Sequence, residues 1–339
     1  MKKALDRFYS EDFKITRKAK WYAIAPMTII LIGVMVISIW NFNLGLDFTG
    51  GHILVVRGFA DYDAAQTQVT QILSDVNGMN MNTVSITREE TATETRMSIR
   101  FQDVSGVTSA EMNDIRLQLV GTINSASGAL ANASVYRNTT ISGAASRSLI
   151  MNTIYAVLIA LFGILVYMLF RFRMTSGIST VLGLVHDVLV MMALTAIFRV
   201  QINAPFIAGL ITVVAYSINN TLILFDRVRQ HEKHNDARLT TEQIVDKSVK
   251  ETFARTMATT ITTLVPIMAL IILGGIFNVP LITQFAIPIL FGLIAGTFST
   301  IFVTTSLYVR FESYQVRKRR ATGKSPVTTR QKAPQVDQV

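Results

Sequence analysis

The sequence predicts an α-helical polytopic membrane protein of six transmembrane helices, with a ferredoxin-like α+β domain inserted after the first. Three observations carry this reading. Six apolar segments each run close to the roughly 20 residues that cross a bilayer. Charged residues make up 16% of the 339, where a soluble chain carries about 25%, and the mean hydropathy is +0.40. Every lysine lies in residues 1–20 or after residue 232, so positive charge flanks the apolar segments. A net charge of +10 alone would also suit a nucleic-acid binder, but this placement argues for membrane topology instead. The absence of cysteine excludes disulfides and thiolate metal sites.

Residues 1–20 form a basic arm, expected in the cytoplasm, with Lys2, Lys3, Arg7, Lys14, Arg17, Lys18 and Lys20. The first span, Trp21–Trp40, has Trp21, Tyr22 and Trp40 at its ends, as interfacial aromatic belts require. It is longer than a cleaved signal segment and does not end in small residues, so it reads as an uncleaved anchor. Residues 41–148 then form an extracytoplasmic domain. His52–Arg57 reads as a buried strand, and Asp61–Asp75 as a helix with Ala65, Val69 and Leu73 on one face. Met81–Arg88 and Thr95–Phe101 alternate like two strands around a turn at Glu89–Thr93. Thr108–Ile123 is helical and Ala133–Thr140 a last strand. The order β-α-β-β-α-β is that of the split βαβ unit.

Residues 149–309 hold the other five spans: Leu149–Phe170, Gly177–Phe198, Ile202–Phe225, Thr256–Phe277 and Phe285–Leu307. Arg171 and Arg173 lie between spans two and three, and Arg227 through Lys250 between four and five. The alternate connections carry only Arg199. The positive-inside rule therefore places both termini in the cytoplasm, which an even number of spans permits. Residues 310–339 are a basic cytoplasmic tail, polar from Arg317 and expected to be disordered.

Charges inside spans are costly and mark functional candidates. Asp187 sits ten residues from either end of span three, beside His186; Asp226 closes span four; Arg255 opens span five. Snorkelling reaches water from Asp226 and Arg255, but not from Asp187, whose bland alternative is a neutral or paired structural carboxyl. His186 reads as a packing or hydrogen-bonding residue, because no further ligand follows at metal spacing. His231 and His234 read as solvated. Along span four Thr212, Tyr216, Asn219, Ile223 and Asp226 fall on one stripe, which should face protein or trapped water. Thr252, Thr259 and Thr262 share the face of Arg255. Gly292 and Gly296 suggest close helix packing, and Pro266 and Pro288 suggest bends. Two aspartates on neighbouring spans raise the possibility of an intramembrane aspartyl protease. Such a pair must share a proton, and Asp187 and Asp226 differ in depth by about 15 Å. No nucleophile elbow, phosphate loop or His-Glu-x-x-His run is present, so the chain reads as a non-enzyme with neither metal nor organic cofactor.

Several motifs together point further. Gly45-Leu46-Asp47-Phe48-Thr49-Gly50-Gly51 follows span one, Val185-His186-Asp187 lies in span three, and Phe225-Asp226-Arg227-Val228-Arg229 ends span four. With Arg255-Thr256 and Leu273-Gly274-Gly275, they resemble the SecF family, whose six-span plan is half of the resistance-nodulation-division transporter plan. The resemblance covers nearly the whole chain apart from both tails. It implies an inner-membrane protein that pairs with SecD, associates with the SecYEG translocon and uses the proton-motive force to assist preprotein export, with protons as the coupling ion. It also implies proton conduction by Asp226 and Arg255, with Asp187 a motif member and Asn219, Asn220, Thr221, His186 and Thr259 as polar support. Where the family often has Asn-Asp-Thr, this chain has Asn219-Asn220-Thr221, one acid fewer. Two alternatives remain beside it: half of a proton-coupled exporter of small molecules or lipids, which usually carries both halves on one chain, and a non-conducting assembly factor of the translocon.

Overall fold

A computed structural model describes residues 19–76, 79, 81, 84–90, 94–102, 107, 109–233, 239–277 and 279–321. The expected basic arm up to residue 18, His234 and the tail beyond residue 321 lie outside the described residues. In chain order come α1 (Ala19–Trp40), the single turn α2 (Leu46–Thr49), β1 (Gly51–Arg57), α3 (Tyr62–Ser74), β2 (Ser85–Glu90), β3 (Thr95–Phe101), α4 (Ser109–Asn124) and β4 (Ser134–Ile141). The rest is helical: α5 (Gly143–Arg171), α6 (Met174–Ile197), α7 (Ala204–Lys233), α8 (Thr241–Ile276) and α9 (Pro280–Phe298), which runs through a π-helical turn (Ser299–Thr304) into α10 (Thr305–Ala321).

The strands order β2-β3-β1-β4 with every neighbouring pair antiparallel, the arrangement of a ferredoxin-like unit. Alternation explains its core: Leu54 and Val56 of β1 and Met97, Ile99 and Phe101 of β3 all point to one face. Ala65, Val69 and Leu73, four apart on α3, and Met112, Leu119 and Ile123 of α4 cover that face. The carboxylate of Asp61 caps α3 by accepting from the Asp63 amide at 3.0 Å.

Among the described residues, six helices are long and apolar enough to cross a membrane. The sixth, which begins with α9, is 61% buried along its most apolar stretch, against 11%, 6% and 11% for the spans in α1, α5 and α8. The sixth is thus the core helix of the bundle, and α1, α5 and α8 present open faces. Two boundaries differ from the sequence reading. Helix α8 starts at Thr241, fifteen residues before the expected span, because Thr240 and Gln243 form a reciprocal capping box. Its added turns bury Ile244, Val245 and Val249 against Leu224, Phe225 and Tyr308. At the other end α10 continues to Ala321, whereas disorder was expected from Arg317; no glycine or proline interrupts Thr305–Ala321 to stop it.

Candidate functional site

The interior of the bundle is polar because small residues let three helices approach. A Cβ on Gly292 of α9 would lie 2.3 Å from Val213 of α7, and one on Gly183 of α6 would lie 2.3 Å from Thr304 Oγ1. At Gly296, the added carbon would lie 3.2 Å from Ser217 Cβ and 3.5 Å from Asp187 Oδ2. Backbone and hydroxyls therefore occupy space that larger side chains would fill with hydrocarbon.

In that space Asp187 is 1% exposed. Its Oδ2 accepts a hydrogen bond from Ser217 Oγ at 2.5 Å, and its Oδ1 lies 3.1 Å from His186 Nδ1. Asn220, one turn beyond Ser217 on α7, is fully buried, and among the described residues neither its amide nitrogen nor its oxygen has a partner; His186 Nε2 is likewise without one. Around them Thr221 bonds Thr300 at 3.2 Å, and Thr260 links Thr297 at 3.0 Å to the Tyr216 hydroxyl at 2.7 Å. Ser299, Thr300 and Thr304 of the π-helical turn are buried in the same region; such turns interrupt the regular backbone ladder and recur at functional sites. The carboxyl thus has two polar neighbours and stands among buried groups with unused hydrogen-bonding capacity.

Asp226 stands elsewhere. It lies nine residues beyond Ser217 on α7, about 13 Å along the axis, so it does not share a proton with Asp187. Its side chain is 42% exposed; Oδ1 accepts from Arg171 Nη2 at 3.2 Å and Oδ2 from Gln230 at 2.9 Å. The same end of the bundle gathers further ion pairs. Arg173 reaches Glu232 at 3.3 Å and Glu312 at 3.2 Å, and Glu251 accepts from Arg227 and lies 2.9 Å from His231 Nε2.

Three expectations need correction. Asp226 and Arg255, which the resemblance joins in proton conduction, do not meet: Asp226 pairs with Arg171, and Arg255 is exposed on α8 and, among the described residues, makes no ion pair. The loop arginine between spans two and three, read only as a topology marker, reaches back to α7. The stripe Thr212–Asp226 does not face the protein interior. Thr212 and Asn219 are exposed and Tyr216 half-buried, whereas Phe206, Leu210, Val213, Ser217, Asn220, Thr221 and Leu224 form the buried face of α7. The Arg255 face is open in the same way, with Thr259 half-exposed and bonded to the Arg255 carbonyl at 2.9 Å. His231 is not a solvated loop residue, because α7 continues through Lys233 and brings it to Glu251. Asp187 and His186 do come together, and Thr221 joins the same polar interior.

At the opposite end Gly45–Gly51 packs against the loop between α6 and α7. Asp47 Oδ2 accepts from the Ala204 amide at 2.8 Å, and Gly45 N donates to the Ile202 carbonyl at 2.6 Å. Ser217, Thr297, Thr300 and the π-helical turn were missed by the sequence reading. The one available signal was the density of small and hydroxyl residues in spans three, four and six.

Known proteins provide the context for this arrangement. Residues 122–313 match the family described as protein export membrane protein SecD/SecF, C-terminal. The protein translocase subunit SecF of Rickettsia akari is 30% identical over 283 residues, covering 83% of this chain and 86% of that protein. The protein translocase subunit SecDF of Bacillus subtilis is 27% identical over 313 residues, 92% of this chain and 39% of that protein. The crystal structure of SecDF from Thermus thermophilus, described as a translocon-associated membrane protein, superposes with a TM-score of 0.70 at 29% identity. That match covers 89% of this chain and 39% of the other, so the chain spans about two-fifths of the SecDF relatives it matches. The chain belongs to the SecD/SecF family of protein-export membrane proteins.

Proposed function

We propose that the chain works as the SecF half of a proton-driven protein-export motor. It pairs with a six-span SecD half and assists preprotein passage through the SecYEG translocon, with protons as the coupling ion. The buried carboxyl of Asp187 carries this reading. At 1% exposure in the interior of the bundle, it loses its charge when a proton arrives and regains it when the proton leaves, and the helices around it respond to that change. One charge crossing 100 mV is worth about 2.3 kcal/mol, and a few protons per cycle shift a two-state equilibrium substantially.

Asp226 and Arg255 take different places in this scheme. Asp226, paired with Arg171 near water, exchanges protons with the cytoplasm. Arg255, with Thr259 and Thr262 beside it, lies on an open face where lipid cannot satisfy it, so the SecD half supplies its partner. The exposed stripe of α7, with Asn219, supports the same contact surface. Relatives that align over two-fifths of their length and are named SecDF support a partner half of the same kind. The cluster of Arg171, Arg173, Arg227 and Arg229 at one end, with the ferredoxin-like domain at the other, supports cytoplasmic termini in the inner membrane.

Proton flux into vesicles that hold the chain with its SecD half tests this. Flux is expected from the unaltered pair, and Asp187→Asn should lose it together with proton-dependent export. Flux that survives Asp187→Asn unchanged would remove Asp187 from the path. No flux from the unaltered pair would leave a non-conducting assembly factor.

A further inference from the structure

Residues Gly45–Gly51 take no part in the polar interior around Asp187, yet they join three elements. The chain leaving α1 runs beside the loop that precedes α7. Leu44 and Ile202 form a parallel bridge, Ile202 N donates to the Asn43 carbonyl at 2.8 Å, and Gly45 N donates to the Ile202 carbonyl at 2.6 Å. Asn43 Nδ2 donates to the Arg199 carbonyl at 2.8 Å, and Arg199 Nη1 donates to the Asn41 carbonyl at 2.6 Å. One turn later Asp47 Oδ2 accepts from Ala204 N, the first amide of α7, at 2.8 Å. The turn that carries Asp47 leads through Gly50 directly into β1. Gly51, at φ +137°, has Phe101 O of β3 only 2.4 Å from where a Cβ would stand.

The bond from Asp47 is more than a helix needs. Helices normally find their caps nearby, and α7 has one: Asn203 Oδ1 accepts from the Phe206 amide at 3.4 Å. Asp47 adds a second acceptor from 157 residues away, and its negative charge suits the positive end of the helix. Helix α7 carries Ser217, Asn220 and Asp226 further along. A shift or tilt of α7 therefore pulls on Asp47, and through one turn of helix on β1 at the centre of the sheet.

We propose that Asp47 is a positioning residue that transmits movement of α7 to the ferredoxin-like domain, so that a proton event in the bundle becomes a displacement of the domain. This rests on the proton-driven reading above. The test compares Asp47→Ala and Asp47→Asn in vesicles holding the full chain with its SecD half, measuring proton flux and proton-dependent export separately. Asp47→Ala should lower export by about two- to thirtyfold, the range that loss of such a cap carries in an equilibrium, with flux unchanged. Asp47→Asn keeps an oxygen acceptor and should restore export. Normal export by Asp47→Ala, an equal fall of flux and export, or no rescue by Asp47→Asn would each overturn the assignment. An unaltered pair without flux would instead sink the proton-driven reading, and the coupling with it.

Discussion

The polar site exists because α9 presses its backbone against α7, and Gly292→Ala tests that contact. A methyl group at position 292 would stand 2.3 and 2.5 Å from the two Cγ atoms of Val213 and 2.9 Å from its Cβ. Relaxed carbon contacts lie at about 3.5–4.0 Å, so the helices must part by about 1 Å or the side chain must turn. Valine in a helix keeps largely to one rotamer, and turning it only exchanges one Cγ for the other. Overpacking of this kind costs about 1–3 kcal/mol. On the scaling of soluble domains, the melting temperature of the purified protein in detergent should fall by about 2–6 °C. Because Gly296 lies one turn further along α9 against Ser217 and Asp187, proton-dependent export should fall as well. Val213→Ala removes both Cγ atoms but keeps the 2.9 Å contact, so the double variant should recover part of the loss, as a double-mutant cycle would register. An unchanged melting temperature in Gly292→Ala, or losses that simply add in the double variant, would refute the packing argument.

Gly51→Ala should destabilise the ferredoxin-like domain by more than about 1 kcal/mol, since an alanine there adopts a disfavoured φ and meets Phe101 O; limited proteolysis of the domain reads this out. Arg171→Ala removes an ion pair whose partners are both about two-fifths exposed, so stability should change by less than about 1 kcal/mol, while proton-dependent export falls; normal export would show the pair to be a surface contact. Arg255→Leu should leave the melting temperature of the isolated chain almost unchanged, because Arg255 is exposed and makes no ion pair among the described residues. It should weaken co-purification with the SecD half, and undiminished co-purification would put the contact surface elsewhere.

The spans, the sheet order and the buried aspartate were legible because each is written in spacing. Length marked the helices, a continuous apolar run marked Leu54 and Val56, alternation marked Met97 and Ile99, and depth alone singled out Asp187. The partners were not legible. A serine within a helix normally bonds its own backbone, so nothing in the sequence reveals that Ser217 turns to Asp187 across two helices. The direction of the α7 stripe was legible only in part. Polar residues within a span face protein or water, but one chain does not say whether that protein is itself or a second half. Thr212 and Asn219 are open here, and the buried face is set instead by Val213, Ser217 and Asn220 meeting α9 and α6. Arg171 illustrates a related limit. Charge counting read it as a topology marker and was silent about its reach to Asp226.

A proton-driven role requires that the carboxyl of Asp187 change protonation when a proton gradient is applied. Infrared difference spectroscopy on vesicles holding the chain with its SecD half observes this directly, through the carbonyl stretch of a protonated carboxylic acid. A band that rises and falls with the imposed gradient and disappears in Asp187→Asn is the predicted result. A spectrum indifferent to the gradient, or a band that persists in Asp187→Asn, would contradict it.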